Sequence, residues 1–247
     1  MKGVVLAAGV ASRLRPLTDR IPKTLIPVGG EPILGRTLRA LSAHSIREAV
    51  IVTGYRAAQI RDYVQGAFPG MDVTFIHNPV YETTNNIYSL WLAREKAVRG
   101  GMILLDGDIL FDARILGLLV ESGFGACLAV DRRPGLGGEE MKVAVDGRGR
   151  VRTISKDLPA DRAFGESIGI ELFGPESAGG LFDVIERKIV RQNAVGVFYE
   201  AAFQEWIDGG GELHAVPLGR FQATEIDTLE DLRRAESAVL PEITPRG

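Results

Sequence analysis

Residues 3–8, GVVLAA, form an unbroken apolar run of a kind that no amphipathic surface element carries. A strand buried on both faces reads this way, as in a parallel sheet whose two sides are covered by helices. The run empties into a turn containing Ala8, Gly9 and Ala11, and the cations Arg13, Arg15, Arg20 and Lys23 follow at once. Small residues let backbone N–H groups approach an anion, and open parallel sheets bind ligands at the carboxyl ends of their strands. The stretch therefore predicts a phosphate cradle countercharged by Arg13 and Lys23, or else an ordinary strand-to-helix turn with a solvated basic face.

The pattern then repeats. Ile33, Leu34, Leu38 and Leu41 keep helical spacing to about Ala43, with Pro32 expected at the first helical position. Apolar runs at 49–55 and 71–78 predict strands, and 58–67 a helix between them. Ile87, Leu90, Trp91, Ala93 and Ala97 predict one helix from Ile87 to Val98, and a fourth strand over 102–105 ends at Asp106-Gly107-Asp108. Alternation of this kind implies right-handed βαβ units.

The second half changes character. A strand over 125–131 precedes RRPGLGGEE, expected as a mobile loop around Gly135–Gly138, and 142–155 alternates about Asp146-Gly147 as an antiparallel hairpin does. Further strands are predicted at 166–173 and 212–218, with helices over 178–190 and 199–208. A last helix opens at Thr228 as N-cap with Asp231 three residues on, and 241–247 is expected as a loose tail. The expected fold class is α/β: a doubly wound, mostly parallel sheet with an antiparallel hairpin insertion, in one domain spanning 1–247.

Charge and cysteine content exclude several classes. Twenty-nine Lys and Arg against thirty-two Asp and Glu give a net charge of −3, so no global positive field favours nucleic acid or acidic membranes. Cys127, the single cysteine, sits in an apolar strand with no intramolecular partner for a disulfide. No run approaches a membrane span and no secretory core is present, so a cytoplasmic, soluble protein is expected. The oligomeric state stays open, a homodimer included. GxxxxGK, a GxGxxG after the first strand and HExxH are absent, and His44, His77 and His214 are scattered.

Asp108 and Asp227 fall beside elements predicted to end at one sheet edge, where two carboxylates can hold a divalent ion against a triphosphate. Mg²⁺ is satisfied by one or two carboxylates, water and substrate phosphates, so a sparse protein contribution suffices. Asp106 is expected to orient this site from behind and Glu225 to ligate or position water. The alternative is structural: Asp106 and Asp108 making a strand-end turn, and Asp227 helping to cap the last helix.

LAAGxxSRLxPLTxxxPKxLxPVxG, carried here by Leu6–Gly9, Ser12–Leu14, Pro16–Thr18, Pro22, Lys23, Leu25, Pro27, Val28 and Gly30, resembles the signature of the nucleotidyltransferases. These enzymes couple a nucleoside triphosphate to a phosphorylated small molecule and release pyrophosphate. The resemblance implies a Rossmann-like nucleotidyltransferase fold and a loop of Leu6, Ala7, Ala8, Gly9 and Ser12 wrapping the triphosphate. It also implies Arg13 and Lys23 on the phosphates, Mg²⁺ on Asp108 and Asp227, and catalysis by Lys23, Arg13 and Asp108.

TTNNIYSLWLA (83–93), KDLP (156–159), GESIGI (165–170), FYEAAFQEWI (198–207) and EIDTLEDL (225–232) are similar to the choline-phosphate cytidylyltransferase branch, which joins CTP to phosphocholine. Sugar-1-phosphate enzymes carry Glu-Lys-Pro where this chain reads Ser155-Lys156-Asp157-Leu158-Pro159, yet Lys156 resembles the family's lysine on the acceptor's phosphate, the alternative being a solvated lysine at the hairpin end. A trimethylammonium group favours aromatic faces and carboxylates, so Tyr199, Glu200 and Glu166 are candidate acceptor-wall residues, ahead of Trp206 and Phe198. Asn85 and Asn86 are candidates to read a pyrimidine edge, although asparagines at a helix start also cap. Rival expectations are a sugar-1-phosphate nucleotidyltransferase, a 2-aminoethylphosphonate cytidylyltransferase, a metal-dependent glycosyltransferase using Asp106-Gly107-Asp108, and a non-catalytic nucleotide sensor.

Overall fold

The computed structural model of the chain describes residues 1–243. Its centre is the strand β1 (Lys2–Ala7), flanked in parallel by β2 (Glu48–Thr53) and β4 (Met102–Asp106), with β3 (Asp72–His77) outside β2. Successive side chains of β1 point to opposite faces, so its apolar run serves two cores at once. Val4 and Leu6 pack with Val50, Val52, Leu104, Ile87 and Leu90 on one side. Val5 and Ala7 pack with Ile51, Leu105, Leu34, Leu38 and Leu41 on the other.

Beyond β4 the sheet turns antiparallel. The long strand β9 (Gly165–Phe173) pairs antiparallel with β4, with β6 (Ala126–Asp131) and with β7 (Lys142–Val145), which forms a hairpin with β8 (Val151–Ser155). β10 (His214–Pro217) adds parallel to β6, completing a nine-stranded sheet among the described residues. The expected class is therefore observed, hairpin insertion included. The turn of that hairpin is held by Asp146, whose carboxylate accepts the N–H groups of Arg148 and Arg150.

Several boundaries differ from expectation. Pro32 caps rather than begins the first helix, α1 (Ile33–Ala43), because its extended backbone pairs it with Pro27 in a short ribbon. The helix expected over 87–98 is broken at Ala93, where an N–H bond back to Leu90 tightens the turn, into α3 (Asn86–Leu92) and Arg94–Ala97; α2 is Ala57–Ala67. The helix expected over 178–190 starts earlier, at Pro175, and passes into a π-turn at Arg187–Arg191; it is α5 (Pro175–Glu186), α4 being Arg114–Glu121 and α6 Glu200–Asp208. Of the tail expected over 241–247, residues 241–243 are helical instead. Leu240 and Ile243 close over a small core of Leu14, Ile26, Val28 and Val239, and the remainder lies outside the described residues.

One pairing was not foreseen and matters most for the site. β5 (Ile109–Phe111) pairs antiparallel with β11 (Ala223–Glu225), and the N–H of Ile226 donates to the carbonyl of Asp108 at 3.1 Å. Three-residue strands are too short to leave a periodic signal, yet this clip carries the distant 225–227 segment to the end of β4. Thr228 then caps α7 (Leu229–Arg234) in a reciprocal box with Asp231, as expected.

Between Ser167 and Glu171 the register of β9 shifts against β6, and Gly169 at φ +69° lies in the bulge. A Cβ there would meet the Asp106 Oδ2 atom at 2.6 Å. Gly169→Ala is expected to cost about 1–3 kcal/mol from left-handed strain and crowding, read as a lowered denaturant midpoint at unchanged m-value.

Candidate active site

The carboxyl ends of β1 and β4 open into a cleft of about 580 Å³. Leu6, Ala8, Gly9 and Arg13 line it from the first loop, and Asp106, Gly107 and Asp108 from the end of β4. The loop approaches closely because residue 107 is glycine. Its N–H donates to the Leu6 carbonyl at 3.0 Å, and a Cβ would meet that oxygen at 2.6 Å. The N–H groups of Gly9, Val10 and Ala11 make no hydrogen bond within the described residues, the geometry an anion cradle requires.

Lys23 is the hub of the site. It leaves a 3₁₀ turn over Lys23–Leu25, is only 7% exposed, and places Nζ 2.7 Å from Asp108 Oδ2 and 2.5 Å from Asp227 Oδ1. Arg13 donates to the other oxygen of Asp227. Burial pulls the Lys23 ammonium toward deprotonation, but Asp108 and Asp227 outweigh it and hold the pKa above its ordinary value. Burial likewise opposes ionisation of Asp227, yet Lys23 and Arg13 keep its carboxyl below the usual range.

Ligand oxygens of Asp108, Glu225 and Asp227 lie within 4.8 Å of one another. Burial, then repulsion from Asp108 and Asp227, pushes the Glu225 carboxyl up to about 8. Asp108 Oδ1 is buried without a hydrogen-bond partner. A set of three carboxylates with an orphaned oxygen suits a hard divalent cation such as Mg²⁺. Asp106 is outside this group, which removes support for an Asp-x-Asp pair of the glycosyltransferase kind.

Asp106 is held from behind. Tyr199, fully buried, donates its hydroxyl to Asp106 Oδ2 at 2.9 Å. Burial, then Asp108 and Glu200, raises the Asp106 carboxyl well above its ordinary range. This corrects the expectation that Tyr199 offers a face to the acceptor: its ring packs against Phe203 at 5.0 Å, inside the core. Trp206 likewise stacks edgewise on Phe173, away from the cleft, while Phe198 is exposed on the cleft wall with the Lys156 ammonium 4.9 Å over its ring.

Other assignments divide. Glu166, Glu200 and Lys156 line the cleft. Ala7 does not, because the alternation of β1 turns its side chain into the core beneath α1, and Ser12 starts an exposed 3₁₀ turn outside the lining. Asn85 and Asn86 reach the cleft, but Asn85 Oδ1 caps α3 while its Nδ2 donates to the Gly196 carbonyl at 3.4 Å, and Asn86 Oδ1 accepts the Tyr199 N–H at 2.8 Å.

Sequence reasoning missed Arg133, Arg234 and Thr224. Arg133 comes from the Gly-rich loop and binds Glu166 Oε2 at 2.6 Å. Arg234 reaches in from α7 and donates to Thr224 Oγ1 at 2.9 Å. The loop expected to be mobile carries no helix or strand, and the buried Lys142 ammonium donates to the carbonyls of Gly137 and Glu140. An arginine pair in a glycine-rich segment carries no signal for this.

Residues 3–162 match the family model of the MobA-like NTP transferase domain. The chain belongs to that family. It is 38% identical over 149 residues to the CMP-5'-(3-aminopropyl)phosphonate synthase of Streptomyces rubellomurinus, an alignment covering 60% of this chain and 23% of that longer protein. It is 25% identical over 236 residues to the choline-phosphate cytidylyltransferase of Streptococcus pneumoniae, covering 96% of this chain and 97% of that one. The inositol-1-phosphate CTP transferase of T. maritima superposes with a TM-score of 0.81 at 22% identity, over 98% of this chain and 95% of that one, a likeness of fold. The chain is thus a nucleotidyltransferase, and no helix among its described residues is long and apolar enough to cross a membrane.

Asp108→Asn is expected to lower kcat for nucleotidyl transfer more than Lys23→Met, which should cost about 10²–10³-fold by analogy with loss of one charge-stabilising donor. Steady-state pyrophosphate release checks both.

Proposed function

We propose that this nucleotidyltransferase moves a cytidylyl group from CTP to the phosphate or phosphonate oxygen of a small primary amine, releasing pyrophosphate. The observation that carries the acceptor is the cleft's cation-facing wall. It is built from the carboxylates Glu200 and Glu166, the latter with one oxygen on Arg133, with Tyr199 withdrawn into the core and the Phe198 face already taken by Lys156. A quaternary ammonium needs open aromatic faces, whereas a primary ammonium is satisfied by carboxylate oxygens. Glu200 Oε2, buried and without a partner, is such an acceptor. Relatives named for aminopropylphosphonate and phosphocholine support CTP as donor and an amine-bearing acceptor.

The chain's own residues make the reaction a matter of alignment. At neutral pH a phosphate monoester is already largely dianionic, so no general base is needed. Lys156 holds the acceptor's phosphoryl group, whose oxygen attacks the α-phosphorus in line; the new P–O bond forms as the bond to the β-phosphate bridge oxygen breaks. The N–H groups of the Gly9 turn, with Arg13 and Lys23, receive the charge that collects on departing pyrophosphate. Asp108, Asp227 and Glu225 would hold Mg²⁺, which when bound supplies charge neutralisation at the phosphates.

The test is pyrophosphate release with each nucleoside triphosphate against aminoethylphosphonate, aminopropylphosphonate, phosphocholine, inositol phosphate and hexose-1-phosphates. Preference for CTP with an aminoalkylphosphonate is expected, and turnover confined to a hexose phosphate would overturn the proposal.

The wall also sets a pH dependence. Burial raises Glu166 to about 7 against the opposing pull of Arg133, and burial raises Glu200 to about 7. Each is neutral below that value and charged above it, so ammonium binding strengthens as pH rises. The acceptor KM is expected to fall about tenfold between pH 6 and 8, as for one required ionisation near 7. Glu200→Gln combined with Glu166→Gln should flatten the profile; an unchanged slope in the double variant would assign it to the acceptor's own ionisation.

A further inference from the structure

Lys23 makes two contacts that pull in different directions for a transferase. Its ammonium stands between Asp108 Oδ2 and Asp227 Oδ1, at 2.7 and 2.5 Å, so it occupies the charge position a divalent ion on Asp108, Glu225 and Asp227 would take. Arg13 adds a second positive group on Asp227. Two cations there already offset the clustered carboxylates, and a third would meet their repulsion at short range. The lysine stem is flexible and its ammonium is a compact point charge, so it can follow an anion placed nearby. The N–H groups of the Gly9 turn lie on the same side of the cleft as Arg13 and have no partner of their own within the described residues.

We infer that Lys23 is a positioning residue for the carboxylate cluster: an internal cation that keeps a divalent ion out of the nucleotide-free cleft and admits it once a triphosphate draws the ammonium away. This rests on the proposed seating of the triphosphate at the Gly9 turn and of the ion on the three acids. Nucleotide and ion then bind with positive coupling. When the polyanion engages Arg13 and Lys23, Asp108 and Asp227 lose their countercharge and the ion restores it. By linkage each ligand must strengthen the other by the same factor. The ion is thereby taken up with the substrate rather than stored in the empty enzyme, and Lys23 keeps the two acids from springing apart in the interval.

The test is Mn²⁺ binding to the full chain without nucleotide, followed by the electron paramagnetic resonance signal of free Mn²⁺. Lys23→Met and Lys23→Gln are each compared with the parent and with the same variants carrying Asp108→Asn. Both single variants are expected to bind Mn²⁺ about tenfold more tightly than the parent, within the usual span of coupling between sites, and Asp108→Asn should abolish the gain. Equal or weaker binding in the Lys23 variants, with Asp108→Asn still weakening Mn²⁺, would overturn the role of Lys23 while leaving the ion's seat intact. If Asp108→Asn altered Mn²⁺ binding in neither background, the seat itself would be wrong and both ideas would fall. Glutamine retains hydrogen bonding to the two acids without the charge, and thermal melts establish that each variant is folded. The parent provides an independent arm: its Mn²⁺ affinity should rise when α,β-methylene-CTP is bound, after correction for Mn²⁺ held by free analogue, and an unchanged affinity overturns the inference.

Discussion

A single buried ammonium ties together three parts of the chain that are far apart in sequence. Lys23 bonds Asp108 across 85 positions and Asp227 across 204, and without it those carboxylates and Glu225 would face one another in a partly desolvated cleft. Removing one partner of such a network leaves uncompensated charge, which is why buried ion pairs impose arrangement more reliably than they add stability. The geometry of the cleft follows from that constraint: the first loop must close on the end of β4, and the 225–227 segment must return to it.

Topology makes the return possible. The parallel half of the sheet delivers the first loop and Asp106–Asp108 at one edge, because parallel strands end together. The antiparallel strand β9 brings Glu166 to the same edge from its opposite end, and its bulge at Gly169 lets the chain pass against Asp106. Behind the edge, Tyr199 and Glu171 are both fully buried, and burial, then Asp106 and Glu200, raises Glu171 well above its ordinary range. Neutral acids there spare the interior further charge, so the ionised groups are concentrated on the wet side, where substrate charges can meet them.

The two halves of the cleft are therefore built differently. The first loop brings backbone amides and cations fixed by a long local motif, whereas Arg133, Lys156, Glu166 and Glu200 come to the same cleft from a loop, a hairpin end, a bulged strand and a helix start.

Near-neighbour spacing was enough for the parallel core, the first loop with Arg13 and Lys23, and the capped last helix: a buried strand is apolar throughout, and a capping box is four residues long. The sequence also marked Asp108 and Asp227 as partners through their expected strand ends. Long-range folding alone makes a three-residue clip, β5 with β11, join them, sets Tyr199 behind Asp106 instead of in the cleft lining, and seats Arg133 on Glu166. Which side of a packed wall a side chain occupies, and which distant charge it meets, is set by long-range pairing and desolvation. Neither leaves a periodic trace along the chain.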